Sequence, residues 1–204
     1  MSYNKGKISE GQLAQIFSIE ENHFNDFKSK DISGRQFSKI VSALANASGG
    51  DVYIGIREEN TTKLKHWEGF KNIEDANSLI QVVESLTSIE NYYDLEFLQH
   101  QVLMTYILKF TVFKTQSIIK ATDGKIYVRR GAQSLPVDTP EKLRRLELDK
   151  GISSFENEPV GESEVSDATE SGIYKFFSDT IVPDVEPDKW LRKHRCTRGT
   201  NKIK

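Results

Sequence analysis

The chain has 204 residues, 37% of them hydrophobic and 10% aromatic, enough for one packed domain and part of a second. A formal net charge of −2 excludes a global attraction to nucleic acid, so any phosphate binding must come from a local basic patch. The single cysteine, Cys196, excludes an internal disulfide and a cysteine zinc cluster.

The opening MSYNKGKISEGQ is polar and lacks the apolar core of a signal peptide. No apolar run approaches the roughly 20 residues that cross a bilayer. With one thiol in the chain, a reducing cytoplasm is the expected location.

From the N-terminus, Leu13, Ile16 and Phe17 recur at helical spacing behind Ser9 and predict a capped helix over 8–20. Residues 23–28 predict a short strand in which Phe24, Asp26 and Lys28 point one way and Asn25 and Phe27 the other. A helix over 34–47 carries Phe37, Ile40, Val41, Leu44 and Ala45 on one stripe. Ser33 and Gln36 have capping-box spacing, and Gly49-Gly50 ends the helix because glycine tolerates the left-handed conformation. DVYIGI, residues 51–56, predicts a strand leaving that turn, with Val52, Ile54, Ile56 and Glu58 sharing a face. Gly55 inside it predicts close approach of another backbone or a ligand.

KHWEGF predicts a turn, and residues 73–87 a helix with Ile73, Ala76, Ile80 and Val83 on one side. Residues 94–102 and 103–113 predict two strands, TDGK a hairpin-type turn, and KIYVRR another strand. Thr139 caps a helix that has Pro140 at its first position and runs to about Leu148. Residues 1–150 therefore form the expected main domain. Residues 151–168 read as an acidic linker, and 169–204 as a partial domain or a segment docking on the first. The expected class is α/β (α+β): a β-sheet flanked by helices, with a small helical C-terminal extension.

The stretch ENHFNDFK places Glu21, Asp26 and Lys28 at the start of one strand, while Glu58 and Glu59 end another. Two unit charges about 4 Å apart repel by roughly 4 kcal/mol at an effective dielectric of about 20. A divalent cation removes that repulsion, and hard oxygen ligands favour Mg²⁺ or Mn²⁺. The alternative is a solvated rim of acids at strand ends. Lys30, Arg35, Lys39, Lys125, Arg129 and Arg130 are candidates to track a phosphate backbone, with scattered surface charge as the alternative. Trp67 and Tyr53 are candidates for base stacking, with core packing as theirs.

ENHFNDFK, followed by ALANASGG, YIGI and Glu58, resembles the Schlafen AlbA-like domain, as does KIYVRRGAQSLPVDTPEKLRRL downstream with its Tyr-x-Arg-x-Gly signature. The resemblance spans residues 12 to about 150. It implies that Glu21, Asp26 and Glu58 hold Mn²⁺ or Mg²⁺ and that Lys28 belongs to the same catalytic site. Asp26 stands where the family usually has glutamate, and Glu58 where it usually has aspartate. The activity it implies is a metal-dependent endoribonuclease acting on structured RNA such as tRNA, in antiviral (phage) defence. A non-catalytic DNA- or RNA-binding module of a transcriptional regulator or defence sensor is the second expectation. The family's vertebrate nucleases build their RNA groove from two related lobes. A single lobe therefore implies a homodimer or higher oligomer.

Overall fold

The computed structural model of the chain describes residues 4–59, 61–153, 197–198 and 202–203. The chain divides into two compact units, Met1–Ile152 and Ser153–Lys204. Of the second unit only a two-stranded antiparallel ladder is described, β10 (Thr197–Arg198) with β11 (Lys202–Ile203). The expected linker and helical extension otherwise lie outside the described residues.

The first unit is an α/β fold built on a five-stranded mixed sheet, ordered β1 (Asn4–Ile8), β6 (Tyr93–His100), β7 (Tyr106–Val112), β3 (Gly50–Ile54) and β2 (Asn25–Lys28). The outer pairs β1–β6 and β2–β3 are parallel, and the inner pairs are antiparallel. Side chains alternate across each strand, so the sheet has two apolar faces. Val52, Ile54, Leu108 and Phe110 pack under α2 (Gly34–Ala45) and α3 (Asn77–Glu84). Tyr53, Phe27, Leu98 and Ile107 pack under α1 (Glu10–Ser18), which lays Leu13, Ile16 and Phe17 on them. Each fully buried side chain of this size is worth about 1.5–3 kcal/mol.

The local signals explain the helices. Ser9 with Gln12, and Ser33 with Gln36, form the two capping boxes. Thr139 accepts from the Lys142 amide and opens α4 (Pro140–Asp149) with proline in its first turn. The helix expected over 73–87 begins as a 3-10 turn, Ile73–Ala76, before α3.

Three expectations are corrected, and one strand is added. Residues 51–56 are not one strand: Gly55 takes φ +101° against the Gly69 backbone, and the chain bends into β4 (Ile56–Glu58). KHWEGF is not simply a turn, because β5 (Lys65–Trp67) pairs with β4. The strands expected to meet at 102 and 103 stop earlier, since His100 and Thr105 close a turn in which Met104 has φ +54°. After β8 (Tyr127–Arg130) the chain turns at Gly131 into β9 (Gln133–Pro136), which the sequence pattern does not announce.

Candidate functional site

β2 is the last strand of the sheet, and its open edge gathers Glu21, Asp26 and Lys28. In parallel pairing, alternate residues turn their backbone groups away from the partner strand. On β2 these are Asn25 and Phe27, and side chains satisfy both. The Phe27 amide donates to Glu21 Oε1 at 3.0 Å, and Lys28 Nζ donates to the Phe27 carbonyl at 2.9 Å. The Asn25 amide donates to Asn22 Oδ1 at 3.0 Å, and Arg129 Nη2 donates to the Asn25 carbonyl at 3.3 Å. The site residues thus double as caps on an edge that would otherwise invite another strand.

The glycine pair behind β2 sets its place. Gly50 has φ +153°, and a Cβ there would overlap the Phe24 carbonyl, which accepts from the Asp51 amide at 2.7 Å. β2 therefore lies against the turn as closely as a backbone allows, and Asp26 and Lys28 emerge on the same side of it.

Lys28 Nζ pairs with Glu21 Oε1 at 3.2 Å and with Asp26 Oδ1 more closely still. The other oxygen of Asp26, Oδ2, accepts from Arg129 Nη1 at 2.9 Å. Arg129 also donates to the Asn22 carbonyl through Nε and Nη2. The side chains of Asp26 and Arg129 are 3% and 1% exposed, against 25% for Glu21 and 33% for Lys28. A ligand arriving from solvent therefore meets Lys28 and Glu21, while Asp26 acts on it through Lys28.

The two acids are driven apart electrostatically. Burial pushes the Asp26 carboxyl above its ordinary range, helped by the negative charge of Glu21 and opposed by Lys28 and Arg129. Burial also opposes ionisation of Glu21, but the Phe27 amide, Lys28 and Asp26 outweigh it and hold its carboxyl low.

Glu58 does not join them. The bend at Gly55 reverses the alternation: Ile56 packs with Tyr53 and Phe27 under α1, not with Val52 and Ile54. Glu58, two residues on, follows Ile56. Its Oε1 pairs with Lys63 at 3.1 Å and its Oε2 with Lys65 at 3.5 Å. Lys65 is itself pinned to the Phe17 and Ile19 carbonyls and lies 4.5 Å from the centre of the Phe27 ring. Glu59 bonds Thr62 and His66. Among the described residues no group of three His, Cys, Asp or Glu side chains is placed to hold a metal ion. The set Glu21, Asp26 and Glu58 as arranged does not fit a three-carboxylate metal centre, because the chain's own ammonium and guanidinium groups neutralise each acid.

The expected nucleic-acid residues separate into three kinds. Arg129 is buried and holds the site together, so it does not track phosphates. Arg35 and Lys39 converge on Asp123 at 3.8 and 3.7 Å, with Lys39 over the Tyr127 ring. Lys30, Lys125 and Arg130 are exposed. Tyr53 is a core residue stacked on Phe27, and Trp67 is half-buried against the same cluster, donating to Thr105 at 2.9 Å.

Asn46, at the end of α2, carries a role that sequence reasoning missed. Its amide group donates to the Ile119 and Tyr127 carbonyls at 2.8 and 2.9 Å, and its Oδ1 accepts from the Ile119 amide at 2.8 Å. It ties β8, and with it Arg129, to the end of α2. Its spacing before the glycine pair is the only sequence signal for this.

A search of curated proteins finds no match to the chain. Among solved structures, the crystal structure of the DIP2311 protein from Corynebacterium diphtheriae is similar at 16% identity and a TM-score of 0.46, over 95% of this chain and 42% of that one. The chain thus spans less than half the length of that neighbour. Among the described residues no helix is long and apolar enough to cross a membrane. The profile of the family described as Schlafen, AlbA_2 matches residues 21–138, from the first acid of the edge site through the hairpin that carries Arg129. That is more than half of the chain, and the family is associated with nucleic-acid binding and nuclease activity: this chain belongs to the Schlafen AlbA_2 family.

Proposed function

We propose that this chain is an endoribonuclease of Schlafen type, acting on structured RNA such as tRNA at the open edge of β2. The observation that supports it is the convergence of Glu21, Asp26 and Lys28 on one edge, locked from behind by Arg129. Lys28 places an ammonium beside the scissile phosphate and offsets charge on its oxygens. Glu21 is ionised and reachable, and accepts a proton from the attacking hydroxyl. Asp26 orients Lys28 and is itself held by Arg129, so the ammonium stays fixed at the edge.

Mn²⁺ or Mg²⁺ belongs to the same proposal in a reduced form. Glu21 and Asp26 offer the one or two carboxylates that Mg²⁺ takes together with substrate phosphate oxygens. Glu58 would join only after leaving Lys63 and Lys65. Bound there, the cation would supply an activated water and neutralise phosphate charge.

The test is incubation of the full chain with total tRNA, with Mn²⁺, with Mg²⁺ and with EDTA, alongside Glu21→Gln and Lys28→Met. The nuclease reading expects cleavage by the wild type, lost in both variants while RNA binding persists. Salt-sensitive binding with no cleavage under any metal would sink it. That result would favour the second reading, a non-catalytic nucleic-acid-binding module, which the pairing of every site acid with a protein cation supports. A homodimer and a role in phage defence extend the first reading. Light scattering tests the dimer, and phage challenge of cells expressing the wild type or Lys28→Met tests the role.

A further inference from the structure

Beside the edge site lies a groove of about 750 Å³, walled by the β8–β9 hairpin and α4 and floored by the turn that ends α2. Besides the buried Arg129, its cationic lining is Arg130, Lys142, Arg145 and Lys114, against the carboxylates of Glu141 and Asp149. Lys142 pairs with Asp138, and Lys114 reaches the Asp149 carbonyl at 3.4 Å. Arg130 and Arg145 have no hydrogen-bond or ion-pair partner among the described residues, and both are exposed.

A chain of net charge −2 has acids enough to pair two arginines. Leaving both guanidiniums open in one concavity sets up a local positive potential. A guanidinium presents a planar fork of donors that matches phosphate oxygens bidentately. The groove is also not independent of the edge site. Arg129 lines it and at the same time binds Asp26, so one side chain forms the wall between the two.

We propose that this groove binds the phosphodiester backbone of an RNA strand next to the stretch held at Lys28, with Arg130 and Arg145 as its phosphate contacts. This rests on the nucleic-acid reading above. It adds where the strand leaves the edge site: along α4 and the β8–β9 hairpin, not along Lys30 or the Asp123-bound Arg35 and Lys39.

The test is fluorescence anisotropy of the full chain with a short labelled single-stranded RNA, and with DNA of the same sequence, across a salt series. Arg130→Gln/Arg145→Gln is compared with Lys5→Gln/Lys7→Gln, which removes two exposed charges from the opposite edge of the sheet. The groove variant is expected to weaken RNA binding at least about tenfold and to flatten the salt slope by about 1.4, roughly 0.7 per phosphate contact on a single strand. Arg130→Lys/Arg145→Lys should recover part of the loss, and thermal melting checks that each variant is folded. The β1 variant should bind as the wild type does. Undiminished RNA binding by the groove variant, or an equal loss in the β1 variant, overturns the groove alone. DNA bound as tightly as RNA, with the same arginine dependence, overturns the assignment to RNA. A wild type that binds neither strand overturns the nucleic-acid reading itself.

Discussion

Arg129 Nη1 stands 2.9 Å from Asp26 Oδ2, and the two side chains are 1% and 3% exposed. These residues lie far apart in sequence, yet they form a sealed ion pair that joins the β8–β9 hairpin to the edge strand of the sheet. Removing one partner strands the other charge out of water. Arg129→Met and Asp26→Asn are each expected to cost about 3–5 kcal/mol in urea unfolding. The double variant should lose at least about 1 kcal/mol less than the sum, because the pair is one interaction. Arg129→Lys should not restore stability. An ammonium cannot reproduce the fork that bonds Asp26, Asn22 and Asn25 together.

Asn46 makes four buried side-chain hydrogen bonds, two to Ile119, one to Tyr127 and a longer one to Ser42 Oγ. Truncation leaves buried backbone groups unpaired at about 1–3 kcal/mol each. Asn46→Ala is therefore expected to destabilise by roughly 3 kcal/mol. Asn46→Asp should do no better, since it cannot donate to the two carbonyls. Hydrogen exchange should show the Ile119 amide losing protection in both.

Gly50 has φ +153°, and a Cβ there meets the Phe24 backbone. Gly50→Ala should push β2 from β3 and cost more than about 1 kcal/mol. Alanine at Gly124, where nothing stands within 4 Å although φ is +75°, should cost less. A larger loss at Gly124 than at Gly50 in chemical unfolding contradicts this account.

Lys150 Nζ donates to the Ala45 carbonyl and to both oxygens of Thr115 at 2.8–3.1 Å. Burial, and next the charge of Lys114, lowers its pKa from 10.5 to about 8. Between those values the unfolded chain binds more protons than the folded one, so this group adds stability as pH rises through the window. Wild type should gain stability relative to Lys150→Met from about pH 8 to pH 10.5. A flat or falling difference would mean that the ammonium is not desolvated at the junction of α4 with the end of α2.

Lys28 is the ammonium shared by Glu21 and Asp26. Two carboxylates left about 4 Å apart repel by roughly 4 kcal/mol at an effective dielectric of about 20. Lys28→Met should melt lower than the wild type, and Mn²⁺ should raise its melting temperature more than that of the wild type. Adding Glu21→Gln should abolish the extra response. Equal Mn²⁺ responses in all three proteins would remove the pair as a cation site.

Much of the fold was legible because its signals are local. The stripe from Phe37 to Ala45, the boxes at Ser9 and Ser33 and the Thr139-Pro140 start lie within a few residues of what they specify. Glu21, Asp26 and Lys28 were legible as a group for the same reason, lying within the eight positions 21–28 that lead into and end the edge strand. Glu58 was misplaced because a period of two carries across Gly55 on paper, whereas a positive φ reverses the face. Arg129 was taken for a phosphate contact because composition cannot tell an exposed arginine from one sealed against an acid.

Sequence by itself determined the helices, the glycine turn, the edge-strand cluster and the family, since each rests on neighbouring residues or on motifs in order. Only the tertiary structure decided which cations neutralise which acids, which face Glu58 takes and which arginines stay open to a ligand. Charge pairing and burial depend on distances in space, and Asp26 meets Arg129 only after the sheet, α2 and the hairpin have packed.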